Sequence, residues 1–377
     1  MLSAPQKPLS ALLSQALVAY TVELDGEFER RMLAMPSRGA RLSLVVWLNL
    51  LRFLVDGPVS VGTLASRTLA GEQVKHPLGC LERWRLILLQ PGKRDGFGSG
   101  RAIRADWPVQ LTASGQMAIS IWPDLIEEID ARWSKRFGDG ASQLRAALEA
   151  IERHIDLELP QGLPSAILKL PDFAPRKSAA EDGLPLAVLL SRVLLAFALE
   201  FERDSRTPIS LCANTIRILG DQAIPETEIP KRTGCSNETA GVGWQLKPYI
   251  VVETDPARGR GKLLRLSEAG IRTQHNYRRL TREIEERWLE SSSGATEELR
   301  ESLAALLTGR RLSEGLKPPP ATTRAGAASP ALGRRDIGPA ARQRMRDLVA
   351  QTEAFVRDPA GALPHYPLWD MNRGFGP

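Results

Sequence analysis

Three cysteines in 377 residues, Cys80, Cys212 and Cys235, are too few and too scattered for a disulfide framework. Their scarcity excludes the small stapled secreted scaffolds and points to a reducing compartment. The four histidines, His76, His154, His275 and His365, lie far apart, and no Cys or His pair has zinc spacing, so no metal site is expected. No apolar run is long enough to span a bilayer; VLLSRVLLAFALEF (188–201) comes nearest, is short and carries Arg192. The opening MLSAPQKPLSALLSQALVAY lacks a cationic start, so no signal peptide is read and a cytoplasmic location is expected.

Chemical motifs are missing as well. Gly261-Lys262 is followed by Leu263, and the position five before Gly261 is Pro256, so the phosphate loop of nucleotide-binding enzymes fails at both ends. Thr112-Ala113-Ser114-Gly115 lacks the first glycine of a nucleophile elbow. No catalytic residue and no cofactor are expected, and the chain is not read as an enzyme. What is present is a soluble composition, 43% hydrophobic and 25% charged, long enough for two or three cores. The net charge of +6 fits an anionic partner without requiring one.

The chain also repeats itself. PLSALLSQALVAYTVELD (8–25) lies over PLAVLLSRVLLAFALEFE (185–202) at a shift of 177, with eight of eighteen positions identical. NLLRFL (49–54) meets NTIRIL (214–219) at 165, and EEIDARW (127–133) meets REIEERW (282–288) at 155. At that last shift Leu111 and Gly115 meet Leu266 and Gly270. The falling shift places extra residues in the first copy after its first helix and again in GKRDGFGSGRAIRADWPVQ. The copies span 8–155 and 185–309, joined by a Pro-rich linker, 156–184. Residues 310–336 are expected to be a disordered linker, and 337–377 a helix with an aromatic tail.

Each copy reads as the same series. An opening helix carries a stripe, Leu9, Leu12, Leu13, Ala16, Leu17 and Tyr20, or Leu186, Leu189, Leu190, Val193, Leu194 and Phe197. A second helix covers about 43–55 or 210–220. A short helix, a turn (Ala70–Gly71 or Gly234–Cys235) and another helix follow. Then come an apolar strand, a polar Gly-rich tip, a returning strand ending in LT or LS, and two helices. The stripes are read as core.

Helix, helix, helix-turn-helix, two-stranded wing and long helices resemble the MarR-like transcriptional regulators. LASRTLAGEQV, LGCLERW and QLTASGQMAI carry the resemblance in copy one. IPKRTGCSNET, DPARGRGKLLRLSEAGIRT and EIEERW carry it in copy two. It implies a mainly α fold with small β-wings: two tandem winged helix-turn-helix domains forming a single-chain pseudo-dimer. It further implies double-stranded DNA as partner, a small-molecule effector whose site the sequence does not reveal, no membrane, and a monomer with internal pseudo-two-fold symmetry.

In such a unit the second helix of the turn enters the major groove. The base-reading candidates are Gln73, Lys75 and His76 in copy one and Asn237 and Thr239 in copy two. Arg101, Arg104, Ser236, Arg258, Arg260 and Lys262 are the phosphate or wing candidates. Pro77, inside the first reading helix, either starts it or breaks its first turn. Gly241 and Gly243 weaken its counterpart. Two alternatives remain. Tandem winged-helix DNA glycosylases resemble this size and architecture but carry Gln-x-Gln or Gln-x-Asp, which this chain lacks. Degenerate winged helices could also serve as a protein-interaction surface without DNA.

Overall fold

The computed structural model describes residues 7–34, 42–68, 74–83, 85–89, 103–164, 170, 172–176, 181–220, 222–235, 245–256, 261–308, 311–316, 354 and 357–367. It is mainly helical, with small antiparallel sheets. The first series is α1 (Leu9–Leu33), α2 (Leu44–Asn49), β1 (Val59–Ser60), α3 (Val61–Arg67), α4 (Lys75–Arg83), β2 (Ile87–Leu89), β3 (Pro108–Leu111), α5 (Ala113–Ile119), α6 (Trp122–Phe137) and α7 (Asp139–Glu152). The second is α8 (Leu186–Asp204), α9 (Ile209–Leu211), β4 (Ile224–Pro225), α10 (Ile229–Thr233), β5 (Ile250–Thr254), β6 (Lys262–Leu266), α11 (Glu268–Ser291) and α12 (Ala295–Thr308). A short α13 (Arg311–Gly315) follows, and its Leu312 is buried. Residues 311–316 therefore belong to the body, at the start of the stretch expected as linker; 317–336 lie outside the described residues.

The opening helices are buried on more than the apolar stripe. Ser10, Ser14 and Gln15 of α1 are as inaccessible as Leu9 and Leu13, because α1 packs against α6, α8 and α12. Likewise α8 packs against α1, α7 and α11, and α7 against α12. A helix surrounded on all sides must satisfy its polar groups internally. Glu23 of α1 accepts from the Trp133 indole at 3.0 Å, and Glu200 of α8 from the Trp288 indole at 2.7 Å.

These contacts cross between the halves reciprocally. Asp130 and Arg145 of the first half bind the start of α8: Leu186 N–H donates to Asp130, and Arg145 donates to the Leu184 carbonyl and to Asp130. Glu285 and Arg300 of the second half do the same at the start of α1, through Leu9 N–H and the Lys7 carbonyl. Both opening helices follow a proline and have no side-chain cap of their own, so an acid from the opposite half satisfies their leading amides. Within each half, Asp25 takes Leu44 N–H and Glu202 takes Ile209 N–H, again at matched positions.

The sheets match in register. Their strand orders are β1-β3-β2 and β4-β6-β5, all antiparallel. Val59 pairs Val109 and Ile87 pairs Leu111; Ile224 pairs Leu264 and Ile250 pairs Leu266. Thr112 and Ser267 explain the recurring LT/LS-x-x-G. Each hydroxyl caps the next helix by accepting from Gly115 or Gly270 N–H, and donates back to the Arg85 or Pro248 carbonyl. The two halves diverge beyond that cap. α11 is continuous, whereas its counterpart is divided into α5 and α6 at Ser120–Ile121, with Pro123 in the first turn of α6. Proline has no N–H for an upstream carbonyl and its ring crowds that turn.

One asparagine per half holds a later segment. Asn49 donates to the Leu163 carbonyl and accepts from Gly162 N–H, in the stretch expected as linker. Asn214 donates to the Tyr366 carbonyl and accepts from the His365 and Tyr366 amides. The aromatic tail is thus docked as far as Pro367; 368–377 lie outside the described residues. His365 is buried there, and burial, then the Arg217 and Lys7 charges, pull its imidazole pKa down to about 2. The folded chain keeps it neutral, while an unfolded chain takes up a proton below about pH 6.5. This group's contribution is complete above that pH and is lost as pH falls toward 2, at about 1.4 kcal/mol per pH unit. In urea unfolding from pH 6.5 to 4.5 the parent is expected to lose stability more steeply than His365→Gln. Equal slopes would mean the imidazole is not held neutral.

Candidate nucleic-acid interface

In the first half, Ser60 caps α3 by accepting from Thr63 N–H at 3.0 Å. The next amides are already used: Val61 N–H donates to the Trp107 carbonyl and Gly62 N–H to the Ala105 carbonyl. The return limb of the hairpin thus lies across the start of α3, and those two amides are spent within the fold. α4 opens at Lys75 and is intact. Pro77 falls in its first turn, where a helix amide has no intrahelical acceptor and a missing N–H costs little. Lys75 is half-buried at the head of that helix. Gln73, Arg101 and the His76 side chain lie outside the described residues.

Arg104 sits on the same return limb. Its guanidinium grips Asp106 through two bonds, 3.0 and 3.1 Å, and both side chains are exposed. The hydrogen bond from Arg104 holds the Asp106 carboxyl below the usual carboxylate range. Arg104 therefore has to exchange one anion for another to meet a phosphate, which an exposed pair permits at small cost.

In the second half, α10 ends at Gly234, whose φ of +70° is the left-handed value that favours glycine. Ser236, Asn237 and Thr239 follow and lie outside the described residues, as do Arg258 and Arg260. The hairpin is described up to the Asp255 N–H bond to the Gly261 carbonyl, 2.8 Å. Lys262 begins β6, is exposed, and stands 3.8 Å from Glu226, just ahead of α10. Arg265 pairs with Glu253 across the hairpin at 2.8 Å.

Further exposed cations emerge that the motif alone does not single out. Arg67 closes α3, and Arg85 follows α4 with φ 61°, unusual for a residue with a side chain. α11 exposes Arg272, Arg278, Arg279 and Arg282; of these, Arg272, Arg279 and Arg282 reach Glu268, Glu283 and Glu286. Their only signal in the sequence is the density of arginine in IRTQHNYRRLTRE.

Neither buried thiol is poised for chemistry. Burial raises Cys235 to about 12 and pushes Cys212 well above its ordinary value. Among the described residues no helix is long and apolar enough to cross a membrane. The arrangement offers two small helix-and-sheet units mounted on one reciprocally capped helical core, each carrying exposed cations. Compared with known protein families, with curated proteins and with solved structures, the chain finds no match in any of the three.

Proposed function

We propose that this protein is a sequence-specific DNA-binding regulator built as a single-chain pseudo-dimer of MarR-like winged helices. The observation that carries the reading is the doubled unit: two three-stranded sheets of one register, each with a short helix between its first strand and its hairpin. A two-fold arrangement of such units suits two half-sites on one face of DNA, about one helical turn apart. The halves are unequal, with a longer excursion between β2 and β3 than between β5 and β6. Unequal half-sites follow.

The test is fluorescence anisotropy on a selected DNA sequence across a salt series. Replacing Arg258, Arg260 and Lys262 together with alanine is expected to weaken binding to all sequences. It should also reduce the salt slope by about one unit per lost phosphate contact. Unchanged affinity and slope would remove the second wing from the interface. Light scattering on the eluting protein should give a mass near the 41.4 kDa of one chain. A stable dimer would contradict the fused-pair reading, because the helices that would pair two subunits are already paired within the chain.

A further inference from the structure

The tail segment Ala362–Tyr366 lies where the second helix-and-sheet unit meets the helical core. Ser14 of α1 donates to the Pro364 carbonyl at 2.9 Å, and Gln15 to the Leu363 carbonyl at 3.0 Å. On the other side Asn214 holds His365 and Tyr366 by three backbone bonds. The turn after α10 closes the groove, and a Cβ on Gly234 would stand 2.2 Å from the Ala362 carbonyl. Leu363 and Tyr366 are fully buried. One short stretch thus ties α1, the helical segment Cys212–Ile216 that carries Asn214, and α10 together.

Two observations set this stretch apart from its counterpart on Asn49. The Gly162–Leu163 stretch is braced close by, through the Leu157–Pro175 bridge and Glu152–Arg176 ion pair. The tail is instead reached after residues 317–353, a much longer connection. The tail is also imperfectly satisfied: His365 Nδ1 and the Tyr366 hydroxyl are buried without a hydrogen-bond partner among the described residues. Such orphans offset part of what burial gains.

We propose that Ala362–Tyr366 is a releasable strap: a Leu-Pro-His-Tyr segment docked in cis that holds the second winged-helix unit on the core. Undocking it frees that unit to change its position relative to the first. The groove is then a docking site for a short peptide of this chemistry. The consequence at DNA rests on the function proposed above; the strap itself is tested without DNA.

Hydrogen exchange on the full-length double variant Leu363→Ala/Tyr366→Ala is the experiment. Exchange in α10, β5 and β6 is expected to quicken by at least about tenfold, with α3, β2 and β3 unchanged. A synthetic peptide of residues 359–367, added in excess, should restore protection, and the same peptide with Tyr366→Ala should not. Tyr366→Phe should be protected at least as well as the parent, since the hydroxyl it removes is buried with no partner among the described residues. Unchanged exchange in the second unit, equal quickening in both units, or failure of the double variant to fold would each overturn the strap. A parent that binds no DNA, with the exchange result intact, would instead overturn the proposed function.

Discussion

Gly270→Val is expected to lower the free energy of unfolding by about 3 kcal/mol, and Gly115→Val by a similar amount. A Cβ at Gly270 would stand 2.1 Å from the Tyr249 carbonyl oxygen, and at Gly115 2.0 Å from that of Leu86. Neither neighbour is a flexible side-chain end. Each carbonyl is fixed by accepting the N–H of the residue that caps the next helix, Ser267 or Thr112. Relief therefore requires parting the strand from the helix, which dismantles the cap and the start of the sheet together. Gly140→Ala is the control: its position in α7 is open, with nothing within 4 Å. There alanine should be neutral or stabilise by up to about 1 kcal/mol. Urea unfolding followed by circular dichroism reads all three. Valine variants as stable as the parent would mean that the strand and helix do not approach as described.

Glu285→Ala should cost about 3 kcal/mol, and Asp130→Ala a comparable amount, although the two residues lie in different halves. Each carboxylate caps the first helix of the opposite half and holds one arginine, Arg300 or Arg145. Burial raises the Glu285 pKa against the opposing pull of Arg300, so its carboxylate is held at a cost. Removing it strands a largely buried guanidinium and leaves Leu9 N–H without its acceptor. Arg300→Ala in the same chain should recover part of the loss, because the stranded charge goes with it. Single variants within about 0.5 kcal/mol of the parent would place these acids outside the energetics of the core. A large loss in one half alone would break the equivalence of the halves.

Much of this organisation is legible in the sequence because repeats carry their own alignment. The shift of 155 that brings LTASG over LSEAG is the same one that superposes Val109 on Leu264 in the two sheets. The cap and the close approach at glycine supply the physical reason. Other features are not legible. A stripe of leucines on α1 says that one face is buried, but not that Ser10, Ser14 and Gln15 are buried as well. That depends on what arrives on the other side: helices of the distant half and, at Ser14 and Gln15, the Leu363–Pro364 backbone. The reciprocal caps are long-range, and Asp130 and Glu285 look like ordinary charges on a helix until their partners are known. The Pro-rich 156–184 reads as a linker because its composition is that of one, yet Asn49 binds its backbone rather than its side chains, which leaves little trace in composition. Of the candidate contact residues, Lys75, Arg104 and Lys262 fall on described elements of the two units. The ion pairs of Arg104 and Lys262 leave no mark in the sequence: Asp106 is an ordinary acid beside Arg104, and Glu226 lies far upstream of Lys262.

The most direct test of the account is to mix the purified full-length protein with fragmented DNA from its own source and sequence what is retained across a salt series. A small set of fragments sharing one motif is expected. That motif should have two unequal half-sites about 10 base pairs apart, bound by one chain per site. Retention without a shared motif, or no retention even at low salt, would contradict it.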